Sequence, residues 1–203
     1  MTDTTAPPSR HAAVILAGGQ ASRMGGVPKP ELHVGDRSML RRVLDAVPDA
    51  RPQVVVGDLP ARDYIVTIED QPGGGPVPAL AAGLHHVPAD LPHLVVLAAD
   101  LPFITPDVTA ALVSALDAST DGAVLIDHHG RRQWLCGAWK HAVLRDRITA
   151  ADPGSGLRHA LRDLAVAEVS WMDSDLPPWF DCDTPAALEY ARELEREFNP
   201  LSA

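Results

Sequence analysis

Ala13-Val14-Ile15-Leu16-Ala17 runs directly into Gly18-Gly19-Gln20-Ala21-Ser22-Arg23-Met24-Gly25-Gly26, with Lys29 just beyond. An uninterrupted apolar run predicts a strand buried on both faces, as in a parallel sheet, and the glycines predict a tight loop at its carboxyl end. Glycines leave backbone N–H groups open to an anion, and Arg23 and Lys29 bring positive charge to the same place. The spacing is neither the GxxxxGK[ST] of a P-loop nor the GxGxxG of a dinucleotide fold. A simple turn would account for the glycines but not for the two cations, so a phosphate-binding loop is the stronger reading.

Outward from this loop, strands alternate with helices. Ser38 caps an apolar stripe through Met39, Leu40, Val43, Leu44 and Val47, which predicts a helix. Short strands are expected at Gln53 to Gly57 and Tyr64 to Ile68, then a Gly/Pro-rich loop from Gln71 to Pro78, a helix from Ala79 to Val87, and a buried strand from Leu94 to Ala98 that ends at Asp100. Thr105-Pro106-Asp107 is a helix start, with a capping hydroxyl, proline in the first turn and an acid near the positive helix end. Further strands are expected near Gly122 to Ile126, Gln133 to Trp139 and Val166 to Trp171, with helical segments around Ala142 to Ile148, Ser155 to Leu164 and after Thr184-Pro185. This alternation predicts an α/β fold with a mostly parallel sheet. The expected division is a disordered tail over residues 1–11 and one domain over 12–203. Ligands of such sheets bind at the carboxyl ends of the strands, where the strand order reverses. The glycines after Leu16, Asp70 after Ile68 and Asp100 after Leu97 all fall on that rim.

The formal charge of −10 argues against a general affinity for nucleic-acid backbone, which Lys and Arg would have to neutralise. Of the 17 basic residues only Lys29 and Lys140 are lysines, which draws attention to Lys29: an ammonium is a compact point charge suited to one phosphate. No apolar stretch approaches the length of a membrane span, and the first residues lack the charged start and apolar run of a secretory signal. Two distant cysteines, Cys136 and Cys182, support neither a zinc site nor a disulfide framework. A cytoplasmic protein is expected.

The segment LAGGxxxRMGGxxK, as Leu16 to Lys29, resembles the signature of the molybdenum cofactor guanylyltransferases and their wider nucleotidyltransferase superfamily, the MobA-like proteins. Further matches follow in the same order: Ile68-Glu69-Asp70, Gly75-Pro76 leading into Ala82-Gly83-Leu84, Ala99-Asp100-Leu101-Pro102-Phe103, and Phe180 to Pro185. The resemblance covers nearly the whole chain. It implies a Rossmann-like, three-layer nucleotidyltransferase fold and transfer of GMP from GTP to molybdopterin with release of pyrophosphate. By the same resemblance, Leu16, Ala17, Gly18 and Gly19 would contact base and phosphates, and Arg23, Lys29 and Asp100 would be catalytic. Gly57 and Asp70 would hold the nucleoside, although relatives usually carry Asn where this chain has Gly57. Asp100 would bind magnesium, a hard cation that prefers carboxylate and phosphate oxygens. In Asp181-Cys182-Asp183-Thr184-Pro185, where relatives often have Asn at the Asp positions, Asp183 would complete the metal site or merely precede the Thr184 cap, and Asp181 would support it.

The acceptor side is set by fewer residues. Arg131, Arg132 and Trp134 offer cations and an aromatic group for a phosphorylated pterin, but such groups more often belong to a solvated loop and a core tryptophan. The His85-His86 and His128-His129 pairs read as surface residues, and Trp171 and Trp179 as core. Candidate partners are GTP, molybdopterin and a molybdoenzyme or its chaperone, with neither nucleic acid nor membrane. The alternatives are a cytidylyltransferase, another nucleotidyltransferase of a phosphorylated small molecule, or a non-catalytic nucleotide-binding module.

Overall fold

The computed structural model describes residues 10–18, 23–24, 27–60, 62–70, 73–172 and 174–198. Almost all of the tail expected over residues 1–11 lies outside them, and His11 opens the first strand instead. In chain order, β1 (His11–Leu16) is followed by the short pairs β2 (Arg23–Met24) with β3 (Val27–Pro28) and β4 (His33–Val34) with β5 (Arg37–Ser38). Then come α1 (Met39–Asp45), β6 (Gln53–Val56), β7 (Ile65–Thr67), α2 (Pro76–Leu84), β8 (His93–Ala98) and α3 (Pro106–Ser114). The chain continues with β9 (Gly122–Ile126), β10 (Arg132–Lys140), α4 (His141–Ala150), α5 (Leu157–Leu161), β11 (Val166–Ser170) and α6 (Pro185–Phe198).

Seven strands form one sheet in the order β11-β9-β10-β8-β1-β6-β7. β1 runs parallel to both β6 and β8, β6 to β7, and β9 to β11, whereas β10 runs antiparallel to β8 and β9. Alternate residues of the central strands enter different cores, as a two-residue side-chain period requires. Ala13, Ile15, Val55, Val95 and Leu97 pack against α1 and α3, while Val14, Leu16, Val54, Val56, Leu94 and Val96 pack against α2, α4 and α5. The result is the expected three-layer α/β arrangement with a mostly parallel sheet. Among the described residues no helix is long and apolar enough to cross a membrane.

Several helix boundaries differ from the sequence reading, most clearly those of α2 and α5. α2 begins at Pro76 rather than Ala79, because Gly75 adopts φ +93 as the N-cap and Pro76 supplies a backbone angle already suited to the first turn. α5 is confined to Leu157–Leu161, between Gly156 and the turn that leads into β11. The Ser38 and Thr105 caps form as read: their hydroxyls accept the N–H groups of Arg41 and Val108.

A third apolar cluster unites Val34, Met39, Phe103, Cys182, Leu188 and Ala191. It seats α6 across the β4–β5 ribbon and the loop after β8. Beside it, the Arg42 guanidinium donates to the Glu195 carboxylate at 2.5 Å and to the Val34 carbonyl at 2.8 Å. Glu195 is 2% exposed, so this ion pair ties α1 to α6 away from water.

The seating of α2 depends on Gly83. A Cβ there would stand 2.6 Å from Val14 Cγ1 and 3.0 Å from Val56 Cγ2, so only a glycine lets the helix lie this close to β1 and β6. Gly83→Ala is expected to destabilise the fold by about 1–3 kcal/mol through overpacking. Thermal unfolding would show this as a lower Tm, and an unchanged Tm would mean that the close approach imposes no constraint.

Candidate active site

The strand order reverses at β1: the chain passes from β1 to β6 and β7 on one side, then returns to β8 on the other. The crevice at the carboxyl ends of β1 and β8 is the place where this topology admits a ligand. A cavity of about 680 Å³ opens there. Its lining brings together Leu16, Ala17 and Gly18 after β1, Lys29, Glu69 after β7, Pro76 at the start of α2, Ala99 and Asp100 after β8, and Asp181 and Asp183 before α6. Because β10 is antiparallel, its first residues reach the same rim, and Arg132, Gln133, Trp134 and Leu135 complete one wall.

Lys29 stands at the junction. It begins a single turn of 3-10 helix, Lys29–Glu31, held by the Leu32 N–H donating to the Lys29 carbonyl at 3.1 Å. Its side chain is 9% exposed, and Nζ lies 2.5 Å from Asp100 Oδ2 and 2.6 Å from Asp183 Oδ1. Burial acts to lower the Lys29 pKa, but the hydrogen bonds and charges of Asp100 and Asp183 outweigh it and hold the ammonium above its ordinary range. The hydrogen bond from Lys29 correspondingly depresses Asp183.

Asp183 reaches Lys29 because its loop is pinned at both ends. The Cys182 N–H donates to the Asp100 carbonyl at 3.2 Å, while the Cys182 side chain is fully buried in the apolar cluster beneath α6. Burial, reinforced by nearby Asp100, pushes the Cys182 thiol up to about 12, so it serves as packing rather than as a nucleophile. On the other side, the Thr184 hydroxyl accepts the Ala187 N–H at 3.1 Å. Asp183 thus both precedes a helix cap and faces the lysine.

Three carboxylates, Asp100, Asp181 and Asp183, line the cavity with one ammonium between them. The surplus charge is visible at Asp181, whose pKa is raised by burial and then by the Asp183 and Asp100 charges. Hard carboxylate oxygens carrying uncompensated negative charge fit a divalent cation. Among the described residues no group of three His, Cys, Asp or Glu side chains is arranged to hold an ion alone.

The remaining expected site residues divide. Leu16, Ala17, Gly18, Lys29, Asp100 and Asp183 converge on the cavity. Gly57 does not: it is buried behind Ala17, where a Cβ would stand 3.1 Å from the Ala17 backbone. Asp70 is exposed and is not part of the cavity lining, whereas its neighbour Glu69, 7% exposed, lines the cavity. Gly19 lies outside the described residues, and of Arg23 the structure describes the backbone pairing with Pro28. Trp171 and Trp179 pack against the core as expected, and Trp179 also lines the cavity. Trp134 lines it too, with one side of its indole stacked on buried Trp139 at 6.2 Å and the Arg132 guanidinium 5.7 Å from its ring centre. His85, His86, His128 and His129 are exposed, as expected.

A parallel-sheet crevice with a buried lysine, flanking aspartates and a glycine loop at its switch point defines a nucleotidyltransferase. Residues 13–169 match the MobA-like NTP transferase domain, and the chain belongs to that family. A molybdenum cofactor guanylyltransferase from Bradyrhizobium sp. is 33% identical over 205 residues, covering 94% of each chain. The fold is shared with molybdopterin-guanine dinucleotide biosynthesis protein A from Archaeoglobus fulgidus, with a TM-score of 0.71 and 20% identity over 92% of this chain and 100% of that one. It is also shared with a Mycobacterium tuberculosis protein whose crystal structure is a complex with manganese, with a TM-score of 0.70 and 17% identity over 91% of this chain and 98% of that one.

The charge surplus predicts a stability effect in the metal-free protein. A carboxyl whose pKa is raised by folding destabilises the fold when ionised, and this penalty disappears as pH falls through its folded and then its unfolded pKa. Asp181→Asn is therefore expected to raise Tm at pH 7, with the gain vanishing toward pH ~4. Thermal unfolding across that range checks it, and a gain independent of pH would rule out charge repulsion as the cause.

Proposed function

We propose that this protein transfers GMP from GTP to the phosphate of molybdopterin in the cytoplasm and releases pyrophosphate, with magnesium held by Asp100 and Asp183. The observation that carries the reading is the Lys29 ammonium, 2.5 Å from Asp100 and 2.6 Å from Asp183, beside the loop that follows β1. The names of the relatives that align along nearly the whole chain supply the guanine nucleotide and the acceptor class.

In this reading Leu16, Ala17 and Gly18 line the base side, the glycine-rich segment that follows them receives the nucleotide phosphates, and Lys29 faces the reacting phosphate. An acceptor phosphate is already anionic at neutral pH, so the reaction needs no strong general base. Positioning and charge neutralisation supply the acceleration. One acceptor oxygen bonds to the α-phosphorus while the bond from that phosphorus to the bridging oxygen of pyrophosphate breaks, and the electron pair leaves with pyrophosphate. Lys29 offsets the charge that develops on the transferred group. Magnesium, when bound, supplies Lewis-acid neutralisation of the triphosphate. The wall formed by Arg132, Gln133 and Trp134 is the side open to the acceptor.

Pyrophosphate release should be observed with GTP, magnesium and molybdopterin together and with neither CTP, ATP nor UTP in place of GTP. Asp100→Ala and Lys29→Ala should each lower kcat by roughly 100-fold or more, the scale of removing one preorganised electrostatic group. Release with CTP in preference to GTP, or near-normal turnover in both variants, would reject the proposed reaction.

A further inference from the structure

Glu69 takes no part in the phosphate chemistry above, yet it is a buried carboxylate on the same cavity. Its Oε1 accepts the Gly73 N–H at 3.0 Å and lies 3.9 Å from where a Cβ on Gly18 would stand. The other oxygen has no hydrogen-bond partner among the described residues, and no Lys or Arg there pairs with the carboxylate. That oxygen is not sealed from solvent: Glu69 lines the open cavity, where a donor on a ligand can reach it.

A bare carboxylate repels a triphosphate, so the donor that meets it belongs to a part of the ligand away from the phosphates. The sheet order supports that separation: Glu69 comes from the β7 side of β1, whereas Asp100 comes from the β8 side. Leu16, Ala17, Pro76 and Ala79 contribute apolar lining to the cavity, which suits a flat heterocycle. Among the common nucleobases, guanine alone presents two adjacent donors, N1–H and the 2-amino group. Adenine and cytosine place a ring acceptor beside their amino group, and uracil flanks its single N–H with two carbonyls.

We infer that Glu69 is the residue that selects guanine, its carboxylate accepting from N1–H and the 2-amino group of the base. This assignment rests on the guanylyl-transfer reading and adds the group that enforces it. A site built around a buried acceptor discriminates strongly against a ligand that lacks the matching donor.

The test is equilibrium binding of GTP, ITP, XTP, ATP and CTP, with magnesium and without acceptor, to wild-type and Glu69→Gln protein. Wild type is expected to bind GTP roughly 10- to 100-fold tighter than ITP, which lacks the 2-amino group. The glutamine amide turns one acceptor into a donor. Glu69→Gln should therefore weaken GTP by a similar factor and strengthen XTP, whose carbonyl at C2 accepts that donor. A merely structural role for Glu69 would weaken all nucleotides alike. Equal wild-type affinity for GTP and ITP overturns the assignment, as does a folded Glu69→Gln protein that keeps the wild-type order of bases, and either result leaves guanylyl transfer standing. A wild type that prefers CTP or ATP overturns the guanylyl reading together with the role of Glu69. The GTP and ITP comparison needs no substitution, so misfolding of the variant would not protect the proposal.

Discussion

The ammonium of Lys29 is held by carboxylates from two distant parts of the chain, with Asp183 lying 154 residues away in sequence. Nearly every other feature of the site follows from keeping that contact in place. The loop carrying Lys29 leads through the β4–β5 ribbon into α1, and α1 is locked to α6 by the buried Arg42–Glu195 pair. The loop carrying Asp183 is anchored by the Cys182 N–H on the Asp100 carbonyl and by the buried Cys182 side chain. Removing one member of a buried ion pair costs about 3–5 kcal/mol because the other is left uncompensated. The Arg42–Glu195 clamp can therefore set the position of α6 even though its net contribution to stability is modest.

The parallel sheet supplies the second part of the design. β1 and β8 register residue for residue from His11 opposite His93 to Leu16 opposite Ala98, so Gly18 and Asp100 leave the sheet at matching heights. Two strand exits that emerge together at a switch point need no further scaffolding to face the same crevice. The antiparallel β10 adds a different capability. Its amino end meets the carboxyl ends of its neighbours, so side chains from Arg132 to Leu135 join the rim on the side away from β7.

The legible parts of the sequence were those written in local pattern. Continuous apolar runs located β1 and β8, and hydroxyl-proline and hydroxyl-stripe signals located the starts of α3, α6 and α1. The glycines after β1 and Asp100 followed because they sit at strand ends, and Lys29 because lysine is scarce among the basic residues. The reversal of β10 was harder to see, although the short link from Ile126 to Arg132 carries the signal: it is too short for a parallel crossover and it closes on the Asp127 carboxylate, which accepts the N–H groups of His129 and Arg131. The choice between Glu69 and Asp70 was beyond pattern, because a shift of one residue at a strand exit swaps which side chain faces inward. Trp179 packs against the core as read, and its second role as a cavity wall was not visible because an apolar surface suits both. Gly57 was read as a nucleoside contact by resemblance alone, whereas its surroundings show packing against Ala17.

Charge is the constraint that joins these pieces. A protein of formal charge −10, with three aspartates and Glu69 in one cavity, is a poor electrostatic host for a triphosphate unless counter-charge is placed at specific points. Lys29 supplies one such point, and its raised pKa keeps it protonated throughout the neutral range. The raised Asp181 pKa shows that this single ammonium does not balance the aspartates around it. The remaining negative charge has a use only if a cation arrives with the substrate, since a divalent ion shared between carboxylate and phosphate converts repulsion into attraction on both sides. On the guanylyl-transfer reading, nucleotide and metal would favour each other's binding, because their joint arrival would relieve the repulsion among the aspartates of the free protein.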